Sequence, residues 1–315
     1  MKKIILYDRT ISPISLYIDI PWYIKKYKFT NIDLSKYNNK HEKKYIHHLL
    51  EDLKQETIII PNRKINTIFI GGEIPNILNH NSIKYLLKHI KKITSVSKNT
   101  EITIECNIDK LNIKKMLNYK KSGINRFSIK INTFNNKHLR LLDKSYTSKK
   151  ILNTINQTNI KKLKNVNLDI TYGFPKQTLK EALLDLKMAI FLKPTHISWS
   201  EFSTEPQTKL YQNPPKLPNE NIIYKIFKKG NSMLKKSGYQ RYAISSYSKI
   251  NYKCKHNINY WKFGDYIGIG CNAHGKVTHN NGNKIIRTIK QKNFKIFTKG
   301  NYIYKKKLYL KKNFH

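Results

Sequence analysis

The chain has 315 residues, enough for about two ordinary domains or one α/β barrel with an appendage, which excludes a small scaffold dependent on disulfide staples. Lys and Arg number 61 against 19 Asp and Glu, a formal charge of +42, yet 39% hydrophobic and 11% aromatic residues exclude a disordered polybasic tail. Only six of the cations are Arg (Arg9, Arg63, Arg126, Arg140, Arg241, Arg287), whereas bidentate phosphate recognition favours Arg. The remaining Lys is scattered among Asn, Ile and Tyr, all with A/T-rich codons, so the charge reads as compositional drift and no specific nucleic-acid partner is expected. One stretch stands apart: no acidic residue follows Asp265, and the tail carries Lys305, Lys306, Lys307, Lys311 and Lys312.

In chain order, β-branched runs predict strands at Ser15–Ile20, Thr67–Ile70, Glu101–Glu105, Arg126–Lys130, Asn167–Thr171 and His196–Phe202. Between them, apolar residues at three- and four-residue steps predict helices at His41–Gln55, Ser82–Ile93, Lys110–Ser122, Ser148–Thr158 and Leu179–Phe191. The alternation implies an α/β fold, a partial (β/α)6 TIM-type barrel whose ligand site lies at the carboxyl ends of its strands. Polar or glycine residues collect at those ends, and they predict a polar cavity rimmed by Glu105, Asn132 and Asp169. After the break at Pro214, Pro215 and Pro218 come a helix over Asn219–Lys236 and a Tyr-rich strand-like stretch, Gly238–Ser248. A glycine-rich run around Gly264–Gly275 predicts backbone passing close to a ligand or another strand. The division expected is a barrel over 1–237 and a smaller α+β extension over 238–315.

Three widely separated cysteines, Cys106, Cys254 and Cys271, write neither a disulfide framework nor a CxxC metal ribbon, which fits a reducing compartment. No apolar segment reaches the roughly 18 residues a membrane span needs, so a cytoplasmic protein without a transmembrane segment is expected. His47 and His48 are not at metal-ligand spacing on one helix face, Gly268-Ile269-Gly270 lacks the dinucleotide fingerprint, and Glu201 with Glu205 reads as strand end and turn rather than an acid/base pair.

Seven blocks resemble, in order, the motifs of the HemW family of haem chaperones in the radical S-adenosylmethionine superfamily. They are SLYIDIPW, IFIGGEIPNIL, ITIEC, INRFSIKINTF, NLDITYGFPKQTLKEAL, HISWSEFSTEPQT and HNINYWKFGDYIGIGCNAHGK. The resemblance covers roughly 12 to 288 and implies a partial barrel followed by a smaller domain. It implies a C-x3-C-x2-C loop for a [4Fe–4S] cluster directly after the IPW tripeptide, but Tyr23, Tyr27 and Thr30 stand at those positions. Phenol and hydroxyl oxygens are hard, weakly acidic ligands, so the cluster, its electron and radical catalysis are expected to be absent. The resemblance places S-adenosylmethionine contacts at Tyr17, Gly72, Glu105 and Asp169, while Glu73, Asn132 and Lys144 depart from the family's glycine, glutamine and arginine and weaken that pocket. It further implies a haem site at His256, Asn257, Tyr260 and Trp261, with an imidazole for iron and rings for the porphyrin face, and His274 as a secondary candidate.

The match fades after Arg287-Thr288, and a shorter carboxyl-terminal part than is usual for the family is expected. The leading expectation is a haem-binding protein that hands haem to an acceptor protein without a cluster. The alternatives are residual radical enzyme activity and polyanion binding on a degenerate barrel.

Overall fold

A computed structural model of the chain describes residues 13–22, 37–158, 163–204, 209–212, 214–279 and 283–310. In chain order the elements are β1 Ile14–Ile20, α1 Asn39–Thr57, β2 Ile65–Gly72, α2 His80–Ile93, β3 Val96–Asn107, α3 Ile113–Lys121, β4 Arg126–Asn132, α4 Asn136–Leu141, α5 Ser148–Thr158, β5 Val166–Tyr172, α6 Leu179–Phe191 and β6 His196–Glu201. They continue with α7 Lys209–Gln212, α8 Glu220–Lys236, β7 Gln240–Ala243, β8 Ser246–Ser248, α9 Lys255–Trp261, β9 Tyr266–Ile269, β10 His274–His279, β11 Lys284–Lys290, α10 Phe294–Phe297 and β12 Ile303–Leu310. The alternation predicted over the first 200 residues is present, and two compact units divide the described residues: one up to Ile104 together with Lys255 onward, the other Glu105–Cys254.

In the first unit β2 runs parallel to β1 and β3, and β9 joins the other side of β1 in parallel. From β9 the sheet continues antiparallel through β10, β11 and β12. Leu16, Ile18, Ile20, Ile68, Ile70 and Ile104 are buried, alternating along the strands with residues such as the half-buried Tyr17, Asp19 and Phe69. Tyr45, Leu49 and Leu53 bury one side of α1. At Gly72, with φ +118°, a side chain would strike the backbone of Ile20.

The second unit orders its strands β4, β5, β6, β8, β7, the first three parallel and the last two an antiparallel hairpin on β6. The stretch Gly238–Ser248 is therefore two strands, turned by Ile244 and Ser245, the latter at φ 59°. Trp199 on β6 packs against Gly230 of α8, where no larger residue fits.

Asparagine supplies the helix starts. Asn38, Asn79, Asn112, Asn135 and Asn219 each accept a backbone N–H at the head of α1, α2, α3, α4 and α8. That cap places the start of α3 at Ile113, later than Lys110, and it also begins α4, a helix too short to show periodicity. β12 forms from the Lys-rich tail, where three consecutive lysines hide the alternation of a strand.

Candidate functional site

Helix α9 carries the HNxxYW hexapeptide and lies against the amino-terminal ends of the parallel strands of the first unit. The Glu101 carboxylate on β3 accepts the backbone N–H groups of Lys255 (3.0 Å) and His256 (3.1 Å), opposite charge to the amino end of a helix. Thr67 Oγ1 donates to Ser15 Oγ at 2.8 Å and lies 2.8 Å from His256 Nδ1. A hydroxyl used in that way accepts the Nδ1–H, which leaves the imidazole lone pair on Nε2. The His256 ring is 3% exposed and packs between Phe69 and Tyr260, with centroids at 5.0 and 5.2 Å. At the other end Asn259 Nδ2 donates to the Asp265 carbonyl (2.8 Å) and Gly264 N–H to the Asn259 carbonyl (2.8 Å), turning the chain into β9.

The end of α9 faces out. Tyr260 is 39%, Trp261 52% and Phe263 78% exposed, and Asn257 is half-buried. Tyr260 continues onto Tyr266 at 4.4 Å. Several large aromatic side chains exposed within four residues are the kind of surface that binding sites use.

Beneath this turn Asp265 forms a buried ion cluster. Its carboxylate accepts from Arg63 Nη1 (2.8 Å), Lys276 Nζ (3.1 Å), and the Thr278 N–H (2.9 Å) and hydroxyl (2.7 Å). Burial alone would raise the Asp265 carboxyl, but these hydrogen bonds and the Lys276 charge outweigh it and hold it below the usual carboxylate range. Lys276 Nζ also donates to the Phe263 carbonyl at 2.5 Å, so the same cluster positions the exposed Phe263. A second cluster joins β11 to α1: Lys290, fully buried, bonds Asp52 (2.5 Å) and Glu56 (2.7 Å). Burial pushes Asp52 up to about 6, with Lys290 pulling the other way. Neither cluster was expected, although the scarcity of acids in this chain makes each Asp or Glu retained near an apolar run informative.

Of the residues placed in the S-adenosylmethionine pocket, Tyr17 and Gly72 belong to the first unit and Glu105, Asn132, Lys144 and Asp169 to the second. The Tyr17 hydroxyl donates to Asp19 at 3.3 Å, and its ring occupies the space beside Gly71. Lys130 pairs with Glu105 at 3.4 Å and lies directly opposite Asp169 across β4 and β5. Burial drives Asp169 up to about 6, Lys130 opposing and Glu105 adding to the rise. Asn132, at φ 65°, donates to Thr171 at 3.5 Å, and Lys144 is half-buried. Of the three strand-end residues expected to rim a cavity, Glu105 and Asp169 both neighbour Lys130, while Asn132 bonds Thr171 instead.

Tyr23, Tyr27 and Thr30 lie outside the described residues, as does Glu205. The segment 23–36 contains no cysteine, and Cys106, Cys254 and Cys271 are all buried free thiols, the first and last with burial raising their ionisation far above the ordinary thiol range. Among the described residues, no group of three or more His, Cys, Asp or Glu could hold a metal ion. This donor set does not fit an iron–sulfur cluster. His48 Nδ1 bonds the Tyr302 hydroxyl (2.9 Å). Gly268 passes so close to the His274 backbone that a side chain would collide, the tight approach that its glycine predicts. His274 is exposed at the start of β10. A cleft of about 660 Å³ in the second unit is lined by Tyr172, Glu201, Tyr224, Phe227 and Arg241 among others. Among the described residues, no helix is long and apolar enough to cross a membrane.

Residues 31–189 match the Radical SAM superfamily. A HemW-like protein of Buchnera aphidicola subsp. Baizongia pistaciae is 59% identical over 95% of this chain and 80% of its own length. The heme chaperone HemW of Buchnera aphidicola subsp. Schizaphis graminum is 51% identical over 96% and 80%, and that of Escherichia coli 37% identical over 93% and 78%. Among solved structures, coproporphyrinogen III oxidase of Escherichia coli, a radical SAM enzyme, superposes with a TM-score of 0.75 at 21% identity, covering 96% of this chain and 73% of that one. The likeness bears out the α/β, TIM-type fold class expected from strand and helix alternation.

Proposed function

The chain belongs to the HemW family within the Radical SAM superfamily, and from that membership we propose that it binds haem as cargo and passes it to an acceptor protein without radical catalysis. The observation that carries this reading is the exposed aromatic group at and just after the end of α9, Tyr260, Trp261 and Phe263, tied by Glu101 and Thr67 at one end and by the Asp265 cluster at the other. A porphyrin is a broad apolar disc, and rings fixed at a surface offer it contact area at little cost in side-chain entropy. Asn257, on the same short helix, completes the set.

His256 engages Thr67 through Nδ1, which leaves Nε2 as the nitrogen for iron, but its ring is covered by Phe69 and Tyr260. In this reading His256 positions the aromatic end from beneath while the porphyrin rests on Tyr260, Trp261 and Phe263. Direct ligation requires α9 to lift from Thr67.

The absence of radical catalysis rests on donor chemistry. Tyr23, Tyr27 and Thr30 replace the thiolates at the cluster loop, and no cysteine lies nearby in the chain to substitute. Without a cluster there is no electron for cleaving S-adenosylmethionine. The exposed Glu73 beside Gly72 and the shortened Asn132 further disfavour that cosubstrate. A cytoplasmic location accords with three reduced thiols.

Titration with hemin tests the proposal. The parent is expected to shift the Soret band saturably; Trp261→Ala with Phe263→Ala weakens binding at least tenfold, and His256→Ala lowers stability without abolishing the shift. No saturable shift in the parent overturns the haem reading. Anaerobic iron–sulfide reconstitution tests the other half: no stoichiometric iron and sulfide is expected, and about four of each per chain would restore the radical enzyme reading.

A further inference from the structure

The ladder registers of the first unit line up six residues across six adjacent strands. Thr67 lies beside Ser15, Ser15 opposite Tyr266, Tyr266 opposite Lys276, Lys276 opposite Arg287 and Arg287 opposite Lys307. Residues directly opposite in a ladder share a face, and neighbouring strands are about 4.8 Å apart. The row therefore begins under α9, where Thr67 holds His256 and Tyr266 meets Tyr260, and then runs out past its aromatic end. Lys276 is buried and matched by Asp265, and its ammonium also grips the Phe263 carbonyl. Beyond it Arg287 and Lys307 are exposed and directly opposed, with Lys305 two residues along β12 on the same face.

Two cations facing each other across a ladder repel. The strands that carry them supply no relief, because no Asp or Glu occurs between Asp265 and the end of the chain. The like-charged pair thus lies about two to three strand spacings, roughly 10–14 Å, from Tyr266 on the open continuation of the aromatic surface.

We propose that Arg287 and Lys307, with Lys305 beside them, form a carboxylate-binding strip that receives the propionates of a porphyrin resting on Tyr260, Trp261 and Phe263. This rests on the haem reading above and adds the orientation of the cargo: ring face on the aromatic end of α9, acidic edge toward β11 and β12. The guanidinium of Arg287 suits a carboxylate in bidentate geometry, and Lys307 adds a mobile point charge. The same arrangement leaves the apolar edge of the disc pointing away from the strip, where an acceptor can take hold of it.

The test compares hemin with hemin dimethyl ester, whose propionates carry no charge, by Soret titration at two salt concentrations. The chains are the parent, the double variant Arg287→Gln/Lys307→Gln, and the control Lys228→Gln/Lys235→Gln, which removes the same charge from exposed positions on α8. Hemin is expected to bind the first double variant about tenfold more weakly than the parent, equivalent to about 1.4 kcal/mol. The ester should bind both alike, and the control should match the parent. Hemin and ester binding the parent equally, unchanged hemin affinity in the Arg287/Lys307 variant, or an equal loss in the control would each overturn the strip while leaving haem binding intact. A parent that binds neither form overturns the haem reading itself.

Discussion

Replacing Asp265 with Asn removes one negative charge and almost no volume, so its consequence isolates the ion cluster that holds the α9–β9 turn. The substitution leaves Arg63 and Lys276, 4% and 6% exposed, facing a neutral amide in a site closed to water. Removing one partner of a buried ion pair costs about 3–5 kcal/mol, because the remaining charge is neither solvated nor matched. Set against a total stability of about 5–15 kcal/mol for a typical domain, that is at least about a fifth of the total. Urea unfolding at pH 7, followed by far-UV circular dichroism, should show the lower midpoint. The pH dependence gives an independent sign. Since the folded-state Asp265 carboxyl titrates below its ordinary value of 3.8, its contribution is complete above that value and is lost as pH falls through the lower folded value. The gap between parent and Asp265→Asn should therefore narrow below about pH 4. A difference under about 1 kcal/mol at pH 7, or a gap that widens in acid, would refute the reasoning.

Three further outcomes follow from the same geometry. Lys290→Met strands the buried carboxylates of Asp52 and Glu56 and should cost about 3–5 kcal/mol at pH 7, less at pH 5 where Asp52, raised to about 6, takes up a proton; thermal melts at both pH values check this. Asp169 is raised to about 6, so its ionisation opposes folding: the penalty is absent below its unfolded value of about 3.8, grows between there and about 6, and is complete above. Asp169→Asn should consequently gain up to about 3 kcal/mol relative to the parent at pH 7 and nothing at pH 3.5, read by urea midpoints. Glu101→Gln keeps one acceptor oxygen but sets an NH2 against the other α9 amide and removes the charge, and should raise amide hydrogen exchange in 255–261 selectively while β4–β6 stay protected.

The parts of the fold written as repeating patterns were the legible ones. β1 to β6 and the longer helices announce themselves because the strands are short β-branched stretches and those helices repeat apolar residues at three- and four-residue steps. β12 did not, because Lys305, Lys306 and Lys307 break the alternation and its pairing with β11 becomes visible only in the register. The hexapeptide at 256–261 was legible as a motif, but its mechanics were not. Thr67 and Glu101 look like ordinary strand residues, yet they lie some 190 and 155 positions from His256 and carry its hydrogen bonds. The overall charge concealed a further distinction. Lys276 and Lys290 are buried structural cations, whereas Arg287 and Lys307 are exposed and unmatched by their own strands, a difference that composition cannot reveal.

The most direct test of the central claim is a hemin titration of the full chain as purified, with no iron–sulfide reconstitution. The account predicts a saturable Soret shift at about one haem per chain, weakened at least about tenfold by Trp261→Ala/Phe263→Ala. Absorbance rising linearly with hemin and without saturation would contradict it.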